Sequence, residues 1–256
     1  MRAFLFASVS AAACVWSSAG GAEPTSRLGW GTCNGPLVQA ITPGTSVVTI
    51  VLSVSGVDFA HQGFAASFGF AGDDPFACRA ASDGRLEPAD AWRFDVVGCQ
   101  TPDRARFDFS SAATLGCPWI GGIPAAPALS RHVDPAPSFM PPEWIRFLGV
   151  ASYPVVPAPS PGQTLLLYAV TLDLSDATPG AAPPGSCGGL ERPLYVVDSW
   201  SEQVDGVGCV TRALQATIFD ATGTARPITP GPSRLTVDTA LPAVPATWGQ
   251  IKAQYR

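Results

Sequence analysis

Lysine and asparagine are all but missing: Lys252 and Asn34 are the only residues of their kinds in a chain of 256. Recognition of a phosphate backbone needs clustered Lys and Arg, and the sequence has no such cluster and a net charge of -5, so nucleic acid is excluded as a partner. Charged residues reach only 14%, against about a quarter in an ordinary soluble domain. Histidine occurs twice, at His61 and His132, which leaves little material for a histidine-activated nucleophile or a nitrogen-ligated zinc site. Beyond residue 22 no apolar run approaches the ~20 residues of a spanning helix, so no transmembrane segment is expected in the mature chain, which should be soluble. We read the preference for arginine, with abundant Ala, Gly and Pro, as the signature of a G+C-rich bacterial genome.

Arg2 is followed by residues that are apolar or small from Ala3 to Ala22, and Gly20-Gly21-Ala22 offers a small-residue cleavage site. Residues 1–22 therefore read as a signal peptide, with the mature chain starting near Glu23 and exported to the periplasm, cell surface or medium. Cys14, after Ala11-Ala12-Ala13, offers a lipoprotein processing site instead, but Ala11 stands where a bulky aliphatic residue is usual. Six of the seven cysteines lie beyond residue 22, an even number that in an exported chain reads as disulfides. Six cysteines allow fifteen pairings. Bridges across single predicted strands give Cys187–Cys209 and Cys99–Cys117, leaving Cys33–Cys78 by elimination.

Alternation with a period of two marks half-buried strands. It is seen for Val48, Ile50, Leu52 and Val54, and for Phe64, Ala66, Phe68 and Phe70. Trp92, Phe94 and Val96 alternate with charged residues, as do Ala105, Phe107 and Phe109. The turn residues between them, Gly98, Pro102 and Asp103, suggest a hairpin. Thr164 to Leu174 is apolar on both sides and should be a central strand. Further strands are expected at 144–150, 193–198, 211–220 and 234–239. With 26 Gly and 26 Pro supplying turns and no helical stripe before the end, the pattern predicts an all-β protein, an antiparallel two-sheet β-sandwich, with a closed barrel as the structural alternative. The β domain should run over 23–240, with a Pro-rich insertion at 116–143 holding seven prolines.

The end differs in kind. Residues 241–256 read as a Pro-rich linker and a short helix: Thr247 and Gln250 form a capping box, and Trp248, Ile251 and Tyr255 share one face. So few turns are marginal alone, so this face should dock on something.

No Gly-x-Ser-x-Gly elbow is present, and His61 and His132 are expected in solvated loops, so no catalytic residue is assigned. Asp73-Asp74 and the group Asp198, Glu202 and Asp205 lie in turns where calcium could sit, but neither has the spacing of a calcium loop; no metal or other cofactor is expected. Trp119, Trp144 and Trp200 fall in or beside loops, where exposed rings could stack on sugars, although large rings are usually buried.

The stretch from Pro43 to Val57, followed by Gly63-Phe64-Ala65-Ala66-Ser67-Phe68, resembles the opening of cohesin-like and related immunoglobulin-like sandwich domains. Trp30-Gly31-Thr32-Cys33, Ala91-Trp92 with Gly98-Cys99, Cys117-Pro118-Trp119, Cys187-Gly188-Gly189 and Thr247-Trp248-Gly249-Gln250-Ile251-Lys252 resemble a group of secreted bacterial proteins, a resemblance that implies no activity. Cohesins bind dockerins, but no dockerin-contacting surface is identifiable in these residues. The expected role is a secreted, non-catalytic binding or structural protein of the bacterial envelope or exterior, with a protein or glycan partner. A carbohydrate-binding module using exposed Trp is the alternative, and a secreted hydrolase the third reading.

Overall fold

A computed structural model describes residues 23–41, 45–80, 86–94, 99–109, 112–122, 128–135, 144–178, 187–190, 192–231 and 234–238. The expected signal peptide at 1–22 and the expected linker and helix at 241–256 lie outside the described residues. The fold is all-β. In chain order the strands are β1 (Thr25–Trp30), β2 (Val38–Ala40), β3 (Val47–Ser55), β4 (His61–Ala71), β5 (Arg79–Ala80), β6 (Ala105–Asp108), β7 (Ala128–Pro135) and β8 (Ile145–Val156). They continue with β9 (Leu165–Asp173), β10 (Tyr195–Val197), β11 (Ser199–Val204), β12 (Gly208–Ala213), β13 (Ala216–Asp220), β14 (Ala225–Pro227) and β15 (Leu235–Asp238). Among the described residues one α-helical turn, Ala112–Leu115, and two 3-10 turns, Asp90–Trp92 and Pro102–Arg104, interrupt them.

One sheet has the order β1-β3-β9-β6. The large sheet is built around β4, which pairs with β8 on one side and with both β13 and β10 on the other; β7, β14, β15 and β2 extend it. A three-stranded sheet, β12-β11-β5, completes the fold. All pairings are antiparallel except β5 with β11 and β2 with β15.

Aromatic side chains from two sheets meet in the main core. Tyr168 of β9 stacks on Phe64 and Phe68 of β4 and on Phe107 of β6, at centroid distances of 6.4, 5.9 and 5.6 Å. Its phenol donates toward the carbonyls of Ala66 and Phe147, each at 3.1 Å. Burial pushes that phenol well above its ordinary pKa, so it remains a donor. The ring lies over Gly149 of β8, where an added Cβ would stand 2.7 Å from Tyr168 Cδ1; glycine is required there by close approach. Each such ring contributes roughly 1.5–3 kcal/mol by leaving water.

Several expected strands are present: β3, β4, β8 and β9 coincide with the alternating or apolar runs, and Leu165 to Val170 are all buried. The expected hairpin of Trp92–Val96 with Ala105–Phe109 is corrected. Asp90–Trp92 is a 3-10 turn and β6 pairs with β9. Trp92 and Phe94 are fully buried, so their alternation reports burial and not strand pairing. The run 211–220 also breaks, at Leu214 and Gln215, into β12 and β13. Within the Pro-rich insertion, β7 pairs with β8 from Ala128↔Ser152 to Pro135↔Ile145.

The disulfides join Cys33 to Cys117, Cys78 to Cys209 and Cys99 to Cys187, at sequence separations of 84, 131 and 88. This corrects all three expected pairings, Cys33–Cys78, Cys99–Cys117 and Cys187–Cys209. The reason is topology: the Cys33 amide bonds the Leu115 carbonyl, the Ala91 amide bonds the Gly188 carbonyl, and Gln203 pairs with both Cys209 and Ala80. Chain-distant cysteines thus become neighbours, with Cα separations of 5.2–6.1 Å.

Candidate functional site

Trp119, Trp144 and Trp200 are 5%, 1% and 3% exposed, so none presents a ring face to solvent. The sugar-stacking expectation is corrected at all three. Trp144 and Trp200 meet edge to face at 5.8 Å and, with Ala71, Val197 and Leu214, form a second core between the large sheet and the three-stranded one. Their loop-like sequence setting concealed this because the cover comes from β11, which carries Trp200 itself. Trp119 sits against Tyr153 at 5.3 Å and over Gly121, and its segment bridges to Leu166 beside β9.

His61 is also corrected. It begins β4, is 1% exposed, and its Nδ1 and Nε2 lie 3.1 and 2.9 Å from the carbonyl oxygens of Phe59 and Ile120. A ring between two acceptors serves both only when both nitrogens carry protons. A proton on Nε2 ties the 116–122 segment to β4 through the Ile120 carbonyl, and both nitrogens face backbone oxygens in the interior. Beside it, burial pushes the Tyr153 phenol up. His132 falls in β7, away from a turn.

The acidic residues separate into distinct contacts. Asp73 is buried and pairs with Arg79 at 3.0 Å; Asp74 pairs with Arg234 at 3.0 Å; Glu202 pairs with Arg212 at 2.8 Å. Among the described residues no group of three or more His, Cys, Asp or Glu is placed to hold a metal ion. Hydrogen bonds from the Thr222 hydroxyl and neighbouring amides hold Asp220 down at about 2 and close the β13–β14 turn.

The expectation that Asp198 lies with Glu202 and Asp205 in an open turn is corrected: it is the one buried carboxylate without a cation partner among these contacts. Asp198, in the corner between β10 and β11, is 3% exposed and accepts hydrogen bonds from Ser26 Oγ at 2.5 Å and Ser199 Oγ at 3.3 Å. Burial raises its pKa to about 6, against the opposing effect of these bonds. Ser26 also receives the Gly231 amide at 3.4 Å, so the group ties β1, the β10–β11 corner and the segment before β15 together. The signal lay in Val-Val-Asp-Ser-Trp, an acid flanked by apolar residues, but its serine partner is distant in the chain.

A surface feature lies on the opposite side of the large sheet from the main core. Arg234 places its guanidinium 5.8 Å from the Phe76 ring centroid and 5.9 Å from that of Tyr195. Phe76 is 38% exposed.

No protein-family model matches the chain, and no curated protein sequence matches it. Among solved structures it is similar to a cohesin module from a family 33 glycoside hydrolase of Clostridium perfringens ATCC13124. The TM-score is 0.38 and the identity 10%, over 85% of this chain and 98% of that one.

Proposed function

We propose that the protein is an exported, non-catalytic module of the bacterial envelope or exterior, a disulfide-linked β-sandwich of immunoglobulin-like or cohesin-like type with a binding or structural role. The observation that carries this reading is the set of three disulfides closing long stretches of chain, a device suited to an oxidising compartment. In the chain-entropy model each contributes roughly 4 to 5 kcal/mol. The sandwich arrangement is supported by Tyr168, which reaches from one sheet to backbone carbonyls on two strands of another. A non-catalytic role is supported by where polar groups are committed: both nitrogens of His61 to carbonyls, and Asp198 to serines. Among the described residues no helix is long and apolar enough to cross a membrane.

Fractionation of cells expressing the full chain, with N-terminal sequencing of the recovered protein, tests export. The expected result is protein outside the cytoplasm, beginning near Glu23. Cytoplasmic protein retaining Met1 and free thiols contradicts the reading, and a lipidated N-terminal Cys14 replaces the cleavage site.

A further inference from the structure

The pairing registers place Ala71, Tyr195, Thr236 and Val38 in a row across β4, β10, β15 and β2. Partners in register share a sheet face. The residues one step along, Phe70, Val196 and Leu235, belong to the main core, so this row lies on the outer face. Exposure rises along it: Ala71 is buried in the second core, Tyr195 and Thr236 are half-buried, and Val38 is 53% exposed. The three-stranded sheet thus covers one end of the row and leaves the other open. Arg234, two residues before Thr236, lies against Tyr195 and Phe76 on the same side.

The described chain ends at Asp238, on β15, in register with Ala40. Residues 239–256 are joined to the chain there, beside the open strip. Pro242 and Pro245 delay any helix until Thr247, and from there Trp248, Ile251 and Tyr255 recur on one face. Ten peptide steps from Asp238 to Trp248 reach roughly 33 Å. The strip from β2 to β10 is only two strand spacings wide, roughly 10 Å. The tail is long enough to turn back and lie on it.

We propose that residues 247–256 of this chain dock as a helix on the outer face of β10, β15 and β2, with Trp248, Ile251 and Tyr255 covering Val38, Thr236 and Tyr195. Arg234, paired with Asp74 and lying over the Phe76 and Tyr195 rings, then offers the incoming indole or phenol a guanidinium beside two aromatic side chains. The proposal goes beyond the export reading and is independent of it, since the N-terminus and the disulfides are read by other measurements.

Hydrogen exchange with mass-spectrometric readout on the full chain, and on a chain ending at Pro245, tests it. Truncation is expected to speed exchange in peptides covering 38–40 and 235–238 at least tenfold. In the full chain, Val38→Glu or Thr236→Lys, both outside the main core, should bring the amides of 247–256 to the rate of an unstructured peptide. Should the truncated chain fail to fold, the full chain carrying Trp248→Ser and Ile251→Ser gives the same comparison. Tail amides that already exchange at the unstructured rate, or a truncation without effect on 38–40 and 235–238, overturn the proposal. So does protection that depends on protein concentration and accompanies a dimer dissolved by truncation, because the occupant is then the tail of a second copy.

Discussion

Asp198 is the residue whose protonation the fold feels most directly. Its pKa of about 6 lies above the ordinary aspartate value because burial disfavours the anion. The folded state therefore holds this proton more tightly than the unfolded one. The resulting stability is complete below about pH 4 and is lost as pH rises to about 6. A shift of about two units corresponds to roughly 3 kcal/mol as an upper value. Asp198→Asn, which cannot ionise, should lack this loss. Urea unfolding of both proteins at pH 4 and pH 7 should show the variant gaining about 2–3 kcal/mol relative to the parent between the two values. Parallel curves would show that Asp198 is not buried as described. At this scale the sequence was legible where a residue's neighbours decide its surroundings. The alternating apolar positions of β3 and β4 fell where burial places them. Trp144, Trp200 and His61 were misread because distant strands cover them, and nothing within a few residues announces that cover.

Among the elements, β9 should open last. It is flanked by β3 on one side and β6 on the other, and it carries Tyr168 into the aromatic cluster. Its apolar run identified it from the sequence as a central strand. Strands two to four residues long, such as β2, β5 and β14, have no periodicity to read and are held by their partners alone. Hydrogen exchange should accordingly find amides of Leu166 to Leu172 exchanging only through global unfolding, and those of β5 and β14 through local opening with far lower free energies. Equal protection in β9 and β14 would contradict this ranking. The misplaced Trp92 hairpin has the same cause as the missed short strands. Alternation marks which side chains are buried, whereas pairing depends on what lies alongside.

At the scale of the whole molecule, the even cysteine count gave the existence of bridges but not their partners. Pairing across a single strand assumes that sequence neighbours are spatial neighbours. Here the sheets interleave: β1 pairs with β3, β3 with β9, and β4 with strands from three later parts of the chain. Long-range bridges follow from that topology, and they are the support for the proposal of an exported, covalently tied β module. Peptide mapping of the intact protein under non-reducing conditions tests this account most directly. It should recover Cys33 joined to Cys117, Cys78 to Cys209 and Cys99 to Cys187. Recovery of Cys33–Cys78, Cys99–Cys117 and Cys187–Cys209, or of six free thiols in folded protein, would contradict it.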